Sequence, residues 1–200
     1  MRRALRFSVL TVCLAFCLTG CSAAIGASAS QSGPQRYEAT WMDVFDTVTT
    51  VVGYAGSEEE FEARAQEFHD EMVEYHQLYD IYNDYEGVSN IKTINDNAGI
   101  EPVSVDPEII ELLKTAKEFY DLSNGEFDVT MGAVLKIWHT YREEGIALNN
   151  EGQLGKVPPL AELESAKGCT GWDKVEIDEI AGTVYLNQSC ASLDVGGIAK

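Results

Sequence analysis

The chain has 200 residues, which is enough for one domain with a sizeable hydrophobic core. Its 14 basic and 33 acidic residues give a formal net charge of −19, and this balance excludes the basic face that nucleic-acid binding requires. If so acidic a protein binds a phosphorylated ligand, we expect a divalent cation to mediate the contact.

The first twenty residues predict a secretory signal. Three arginines precede an apolar run over 8–18, which is too short and too rich in small residues for a membrane span. The sequence Leu-Thr-Gly-Cys at 18–21 resembles the bacterial lipobox, which implies cleavage before Cys21 and a lipid on its sulfur. An ordinary signal peptide with an incidental cysteine is the alternative. Residues 21–35 are rich in Ala, Ser and Gly and predict a flexible tether, so the folded part is expected to begin at Arg36.

The next part of the chain predicts a strand, a long helix and an ordered loop. Residues 44–54 are rich in β-branched and aromatic residues, which favours a strand. Ser57 stands three residues before Glu60, a pattern typical of a helix start, and apolar residues then recur at helical spacing. Residues 79–99 mix aromatic residues with turn formers. We expect an ordered loop there with one helical turn, and such loops in compact domains are usually functional.

The second half predicts three more helices and further strands. Asp106-Pro107 combines an N-cap with a first-turn proline, so a second helix is expected to begin there and to end near Gly125. The remaining elements are expected to be a helix over 129–142, a short helix over 160–167, a hairpin over 175–186 and a strand over 191–195. This order predicts an α+β fold, with mixed or antiparallel sheets and flanking helices, rather than a doubly wound sheet.

Three segments carry groups that suit a phosphorylated or flat-ring ligand. The carboxylate, two glycines and lysine of 194–200 favour a nucleotide-phosphate or metal-phosphate site, because glycines allow close backbone approach and lysine neutralises phosphate. Residues 124–130 precede a predicted helix, where free N–H groups favour an anion. A glycine that ends one helix, followed by the N-cap of the next, explains those residues equally well. The tyrosines of 80–85 can stack on a flat ring or plug an edge of the core.

The histidines and the cysteines outside the signal show no recognisable site. No Ser-His-Asp arrangement is visible; His69 and His76 are interpreted as surface or boundary residues, and His139 as structural. Cys169 and Cys190 can pair in an oxidising compartment or remain buried thiols, and two cysteines at this spacing make no metal motif.

Taken together and in this order, the motifs resemble the bacterial FAD:protein FMN transferase family, also called ApbE. Its pattern of a tyrosine loop leading to an asparagine corresponds to Tyr82 through Asn95. Gly-x-Phe-Asp-Val-Thr before a Leu-x-x-Trp helix corresponds to 125–138, and Asp-Leu-Gly-Gly-Ile-Ala-Lys corresponds to 194–200. The resemblance runs from Phe45 to the last residue.

The resemblance implies an Mg²⁺-dependent reaction on FAD. A threonine or serine hydroxyl of a partner flavoprotein attacks the FMN-side phosphorus, AMP leaves, and FMN remains on the partner through a phosphoester. It implies that the partner is a subunit of a membrane redox complex. With the lipobox, it places the protein at the cell membrane, lipid-anchored on the extracytoplasmic side. A lipoprotein that binds flavin without transferring it, or that hydrolyses FAD, is the alternative. A solute-binding lipoprotein is disfavoured because repeated α/β units are not visible.

The resemblance also assigns roles to individual residues. Positions implied to contact FAD or its metal are Phe45 and Tyr82 at the flavin ring, Glu126, Phe127 and Asp128 along the pocket, Asp194 as a hydrogen-bond partner, Lys200 near the phosphates and the Gly197 carbonyl on Mg²⁺. Phe45-Asp46-Thr47 stands where many relatives have Met-Gly-Thr. The remaining metal ligands and the catalytic base are expected beyond residue 200. A single domain over 36–200 is therefore expected to continue further, and residues 1–200 alone are expected to be inactive and poorly stable.

Overall fold

A computed structural model describes residues 33–199. The predicted signal peptide, the proposed lipid site at Cys21 and the predicted phosphate contact at Lys200 lie outside the described residues, as does most of the predicted tether. No helix within 33–199 is both long enough and apolar enough to cross a membrane.

Two small antiparallel sheets and five α-helices make up the described part of the chain. In chain order the elements are β1 (Gln35–Trp41), β2 (Thr49–Ala55), α1 (Glu58–Tyr79), α2 (Ile91–Asp96), β3 (Val103–Ser104), α3 (Pro107–Leu122), α4 (Gly132–Asn150), α5 (Leu160–Lys167), β4 (Val175–Asp178) and β5 (Thr183–Leu186). β1 pairs with β2, and the other sheet has the order β3-β5-β4. The predicted α+β class is confirmed.

The predicted starts of α1 and α3 are confirmed by their caps. The Ser57 hydroxyl accepts from the Glu60 N–H at 3.2 Å, while the Glu60 carboxylate accepts from the Gly56 N–H at 3.1 Å. Asp106 caps α3 through the Glu108 N–H at 3.0 Å, with proline in the first turn. Local hydrogen-bonding chemistry therefore fixes both starts, as the sequence indicates.

The predicted strand over 44–54 is wrong in its first half. Phe45 and Asp46 have φ values of 55° and 50°, so the backbone turns there and cannot continue a strand. The strand begins only at Thr49 and pairs along its whole length with β1. No strand was predicted over β1, although the folded part was expected to begin at Arg36. Tyr37 on β1 stacks on Phe61 of α1 with ring centroids 5.6 Å apart, which packs the hairpin on the helix.

The third predicted helix, over 129–142, is shifted: α4 runs from Gly132 to Asn150. The Asp128 carboxylate accepts from both the N–H and the hydroxyl of Thr130, at 2.9 and 2.7 Å, which forms a turn before the helix. The Val129 carbonyl accepts from the Asp194 N–H at 2.8 Å. Val129 is thus tied to a distant segment rather than to a first helical turn.

The predicted strand over 191–195 is wrong as well, because an asparagine side chain takes the place of a neighbouring strand. The Leu193 N–H donates to the Asn95 side-chain oxygen at 2.7 Å, and the Asn95 side-chain nitrogen donates to the Leu193 carbonyl at 3.0 Å. Within the described residues, the β-type pairing of this segment consists of one isolated parallel bridge, between Met131 and Ser192. The segment is extended and held in place without belonging to a sheet.

The main hydrophobic core lies between α2, α3, β5 and the segment over 191–195. Leu193 and Val195 are each 1% exposed, and between them the Asp194 side chain keeps some contact with solvent. Alternate residues of an extended chain point to opposite sides. Burying the two apolar neighbours therefore fixes the direction of the Asp194 carboxylate.

Cys169 and Cys190 are joined by a disulfide. Of the two possibilities left open by the sequence, pairing or buried thiols, the structure has pairing. The bond links the turn after α5 to the chain that leads into the 191–195 segment. It closes a loop with a sequence separation of 21 residues.

Replacing both cysteines by serine is expected to lower the free energy of unfolding by about 3 kcal/mol, because the unfolded chain regains the entropy of an open loop. Urea unfolding of the variant and the parent measures this difference. Reduction of the parent with dithiothreitol is the control and should lower stability to the same extent. A parent whose stability is insensitive to reduction would contradict the expectation.

Gly132 lies where α4 touches the 191–195 segment, and a side chain does not fit there. A Cβ on Gly132 would lie 2.5 Å from the Ser192 carbonyl oxygen and 2.9 Å from the Leu193 carbonyl carbon. Gly132→Ala is expected to destabilise the protein by at least about 2 kcal/mol, because backbone must move. The matched control is Gly145→Ala in the same helix, where the nearest atom is 3.6 Å away. That variant should be neutral or slightly stabilising in urea unfolding.

Candidate functional site

Three segments that are far apart in the sequence meet around one cavity of about 180 Å³. Phe45 comes from the turn between β1 and β2, Tyr82 from the loop after α1, and Asp194 from the segment tied to Asn95. The other residues that line it include Asp46, His76, Tyr79, Asp80, His139 and Gly196. The structure thus brings together three of the residues assigned to FAD from the sequence.

The tyrosine loop is organised by Asp80, which caps the end of α1 and is 9% exposed. One carboxylate oxygen accepts from the N–H groups of Tyr82 and Asn83, at 2.6 and 3.3 Å. The other accepts from the Asn83 side-chain nitrogen at 2.8 Å and the Tyr85 hydroxyl at 2.7 Å. Burial by itself would raise the pKa of Asp80, but these donors outweigh it and hold the pKa below its usual value.

Tyr82 itself is 54% exposed. Its hydroxyl lies 3.4 Å from His139 Nε2, and the two rings meet edge to face with centroids 5.9 Å apart. Burial and then the negative charge of Asp194 raise the pKa of Tyr82, so the phenol stays protonated near neutral pH. An aromatic ring held at its backbone and open on one side can stack on a flat ligand.

Asp194 lines the cavity, and 14% of its side chain is exposed to solvent. One oxygen accepts from the Gly196 N–H at 3.0 Å, and the other lies 3.7 Å from His139 Nε2. The first contact fixes the carboxylate's orientation. The second distance is too long for a hydrogen bond but close enough for ionic attraction when His139 is protonated.

Phe45 is half-buried and has a left-handed backbone, as does Asp46 after it. Each such residue costs on the order of 1–3 kcal/mol and persists when its surroundings fix it. Here the Phe45 N–H donates to His76 Nδ1 at 3.0 Å, and the two rings meet edge to face. A strained turn therefore forms one wall of the cavity.

The segment with Glu126, Phe127 and Asp128 contributes to the site through Phe127. Phe127 and Gly197 line a neighbouring cleft of about 480 Å³, and a Cβ on Gly197 would lie 3.3 Å from the Phe127 ring. Glu126 is exposed and Asp128 is occupied by its turn, so both lie outside the lining of these two cavities.

A third cavity, of about 220 Å³, adjoins the first and shares Ile81, Tyr82, His139 and Asp194 with it. It adds two cations, Lys92 and Lys136. Lys92 is already paired with Asp84 and Asp96, at 3.0 and 2.6 Å. The combined cleft thus has aromatic residues at one end, and Lys92, Lys136 and the carboxylate of Asp96 at the other.

Sequence reasoning missed three residues of the site: Asp80, His76 and His139. Asp80 was detectable as an aspartate directly after a helix and followed by turn formers, the usual pattern of an Asx turn. Along α4, Lys136 follows Gly132 by four residues and His139 follows Lys136 by three. All three therefore share a face of α4, and they line the third cavity. For His76 no sequence signal exists, because its partner lies 31 residues earlier in the chain.

Residues 33–199 contain no group of three or more His, Cys, Asp or Glu side chains that could hold a metal. The predicted ligand at Gly197 is a single backbone carbonyl, whereas Mg²⁺ takes about six oxygen ligands. The described residues therefore supply at most a part of a magnesium site.

The chain is similar to proteins of one family. A family model described as the ApbE family matches residues 42–200. An FAD:protein FMN transferase of Chlamydia muridarum (strain MoPn / Nigg) is 30% identical over 131 residues, which are 64% of this chain and 38% of that protein.

Solved structures agree with this match. The crystal structure of the ApbE protein from Thermotoga maritima MSB8 has a TM-score of 0.63 at 30% identity and covers 82% of this chain and 48% of that one. The flavin transferase ApbE from Vibrio cholerae has a TM-score of 0.64 and covers 84% and 50%, and at 18% identity it shows the fold alone. The chain spans half or less of the length of each of these relatives.

Asp80→Ala is expected to lower the free energy of unfolding by about 2–4 kcal/mol, because it leaves several buried donors without an acceptor. Asp84→Ala, four residues away with its side chain 77% exposed, is the matched control and should change stability by about 0.5 kcal/mol or less. Urea unfolding at pH 7 compares them. Equal effects of the two variants would show that Asp80 does not organise the loop.

The lowered pKa of Asp80 also gives a pH dependence with a definite sign. The folded state favours the ionised carboxylate, so its stabilisation is present above the unfolded pKa of about 3.9 and is lost as pH falls below it. Asp80→Asn, which cannot ionise, should flatten this part of the stability–pH curve. An unchanged slope below pH 4 would contradict the assignment.

Proposed function

The chain belongs to the ApbE family, and from this premise we propose that it is part of an FAD:protein FMN transferase. The proposed reaction transfers FMN from FAD to a threonine or serine hydroxyl of a partner flavoprotein. The hydroxyl oxygen forms a bond to the FMN-side phosphorus, and the bond from that phosphorus to the bridging oxygen breaks. AMP leaves with that oxygen, and the hydroxyl proton passes to a base, which we do not assign among residues 33–199.

The observation that carries the proposal is the meeting of Phe45, Tyr82 and Asp194 around one cavity. A flavin ring is flat, so it gains most from aromatic walls, which Phe45 and Tyr82 provide. The ring also carries an N–H group on its pyrimidine edge, and the Asp194 carboxylate, held by the Gly196 N–H, can accept from it. Such a combination of apolar walls and a few placed polar groups is typical of cofactor pockets.

The charges around the cleft fit the phosphate end of FAD. Lys92 and Lys136 line the part of the cleft beyond Tyr82 and Asp194, but the chain as a whole carries a net charge of −19. We propose that Mg²⁺ binds at the pyrophosphate, with the Gly197 carbonyl as one ligand. When bound, the ion would offset the negative charge that develops on the phosphate oxygens and on departing AMP.

The proposed location is the extracytoplasmic face of the cell membrane, through a lipid on Cys21. The lipobox-like sequence at 18–21 supports it. The disulfide between Cys169 and Cys190 supports it independently, because such bonds persist in oxidising compartments. The proposed acceptor is a subunit of a membrane redox complex.

The complete natural protein, mixed with FAD, Mg²⁺ and a candidate acceptor flavoprotein, should add the mass of one FMN phosphoester to the acceptor. EDTA should abolish this gain. Asp194→Ala should weaken FAD binding by about 10- to 100-fold, because a hydrogen bond to a charged group is lost. Asp70→Ala, at an exposed position of α1 (69% of the side chain), is the matched control and should behave like the parent.

Mass spectrometry of the acceptor and chromatography of the nucleotides separate the alternatives. Release of FMN and AMP without a gain in acceptor mass would indicate an FAD pyrophosphatase. FAD that binds and stays intact with several acceptors would indicate a flavin-binding protein. An enzyme that transfers FMN equally well in EDTA would contradict the proposed role of Mg²⁺.

A further inference from the structure

We propose that His76 is a positioning residue that holds Phe45 against the flavin cavity, and that it does so only as the neutral imidazole with its proton on Nε2. This proposal rests on the proposed function, because it takes the cavity beside Phe45 to be the FAD site. His76 itself is not assigned a contact with the reacting atoms.

The protonation of His76 follows from its neighbours. The Phe45 N–H, 3.0 Å from Nδ1, is a backbone amide and can only donate, so Nδ1 must carry a lone pair. Nε2 lies 3.2 Å from the Tyr85 hydroxyl. That hydroxyl donates its own proton to Asp80 at 2.7 Å, which leaves its oxygen free to accept from Nε2–H. One arrangement of protons therefore satisfies the whole chain of contacts.

The turn that His76 holds has a strained backbone, and its own closing hydrogen bond is long. Phe45 and Asp46, with φ values of 55° and 50°, are consecutive non-glycine residues in the left-handed region. Across the turn, the hydrogen bond from the Thr47 N–H to the Val44 carbonyl is long, at 3.4 Å. The contact with His76 is shorter and comes with an edge-to-face ring contact whose centroids are 5.7 Å apart. His76 thus directly restrains the backbone that places the Phe45 ring, while Asp43, before the turn, is held separately by His69 at 3.1 Å.

Protonation of His76 would remove this restraint, because Nδ1–H and the Phe45 N–H would then be two donors facing each other. The charged and titratable groups around the imidazole are Asp43 and Asp46 on the turn, Tyr79 and Asp80 at the end of α1, Tyr85 on the loop, and His139 and Asp194 across the cavity.

The other two members of the hydrogen-bonded chain, Tyr85 and Asp80, keep fixed protonation states near neutral pH. Burial and the hydrogen bond to Asp80 raise the pKa of Tyr85 to about 12, so the phenol stays protonated. Hydrogen bonds from Asn83, Tyr82 and Tyr85 overcome the effect of burial and lower the pKa of Asp80, so that carboxylate stays ionised. The Tyr85 hydroxyl therefore always has a proton for Asp80 and an oxygen free to accept from Nε2–H of His76.

Two substitutions of His76 test the roles of Nδ1 and Nε2 separately. Asparagine places an oxygen acceptor where His76 has Nδ1, and glutamine places a donor where it has Nε2. His76→Asn should keep FAD affinity at pH 8 within about threefold of the parent. His76→Gln should bind FAD about tenfold more weakly at pH 8. Adding Asp46→Gly to His76→Gln should recover part of the loss, because glycine adopts a positive φ at little cost.

Hydrogen exchange of the Phe45 amide in the complete, ligand-free protein tests the inference without FAD. Protection should be high in the parent and in His76→Asn, and about tenfold lower in His76→Gln. If the parent binds no FAD, the proposed function fails, while this comparison still decides whether His76 holds the turn. Thermal melts check that the variants fold.

The inference is overturned if His76→Gln matches the parent in both affinity and protection. It is equally overturned if His76→Asn loses as much as His76→Gln while melting at the same temperature. If either variant does not fold, hydrogen exchange of the parent still tests the inference, and a Phe45 amide that exchanges without protection overturns it.

Discussion

The arrangement of the site depends on the paired hydrogen bonds between the Asn95 side chain and the backbone of Leu193. These bonds join residues 98 positions apart, and they fix a segment that has no strand beside it in residues 33–199. On its other side the same segment is fixed by the Val129 carbonyl and by close contact with Gly132. Once these contacts hold Leu193, the burial of Leu193 and Val195 leaves one direction for Asp194.

The same principle recurs around the cavity, where single polar side chains take over the role of regular backbone pairing. Asp80 collects the donors of the tyrosine loop, Asp128 forms the turn before α4, and His76 accepts from the Phe45 N–H. Each of these groups satisfies backbone N–H groups that would otherwise be left without a partner in an irregular loop. The site is therefore built from loops whose shape is set by a few side chains within helices or next to their ends.

This construction explains which features the sequence predicts. Apolar spacing and caps located α1, α3 and α5, and the alternating residues around Gly182 located the β4–β5 hairpin, because these elements depend on local preferences. The strands predicted over 44–54 and 191–195 were wrong where distant partners decide the backbone. Phe45 looks like a strand residue until His76 bonds its N–H, and 191–195 looks like a strand until Asn95 replaces its neighbour. The resemblance to a family named Phe45, Tyr82 and Asp194, which the structure brings around one cavity, but it named none of the residues that hold them.

The placement of charge follows from the same constraint. A chain of net charge −19 cannot attract an anionic ligand through its overall field, so local groups must provide the attraction. In this cleft the carboxylates of Asp80 and Asp194 accept hydrogen bonds from internal donors. Lys92 and Lys136 line the adjoining cavity together with Asp96, which is paired with Lys92. Committing acids to internal hydrogen bonds thus lowers the negative potential where a phosphate would bind. In this way the interactions that shape the loops also make the cleft compatible with an anionic nucleotide.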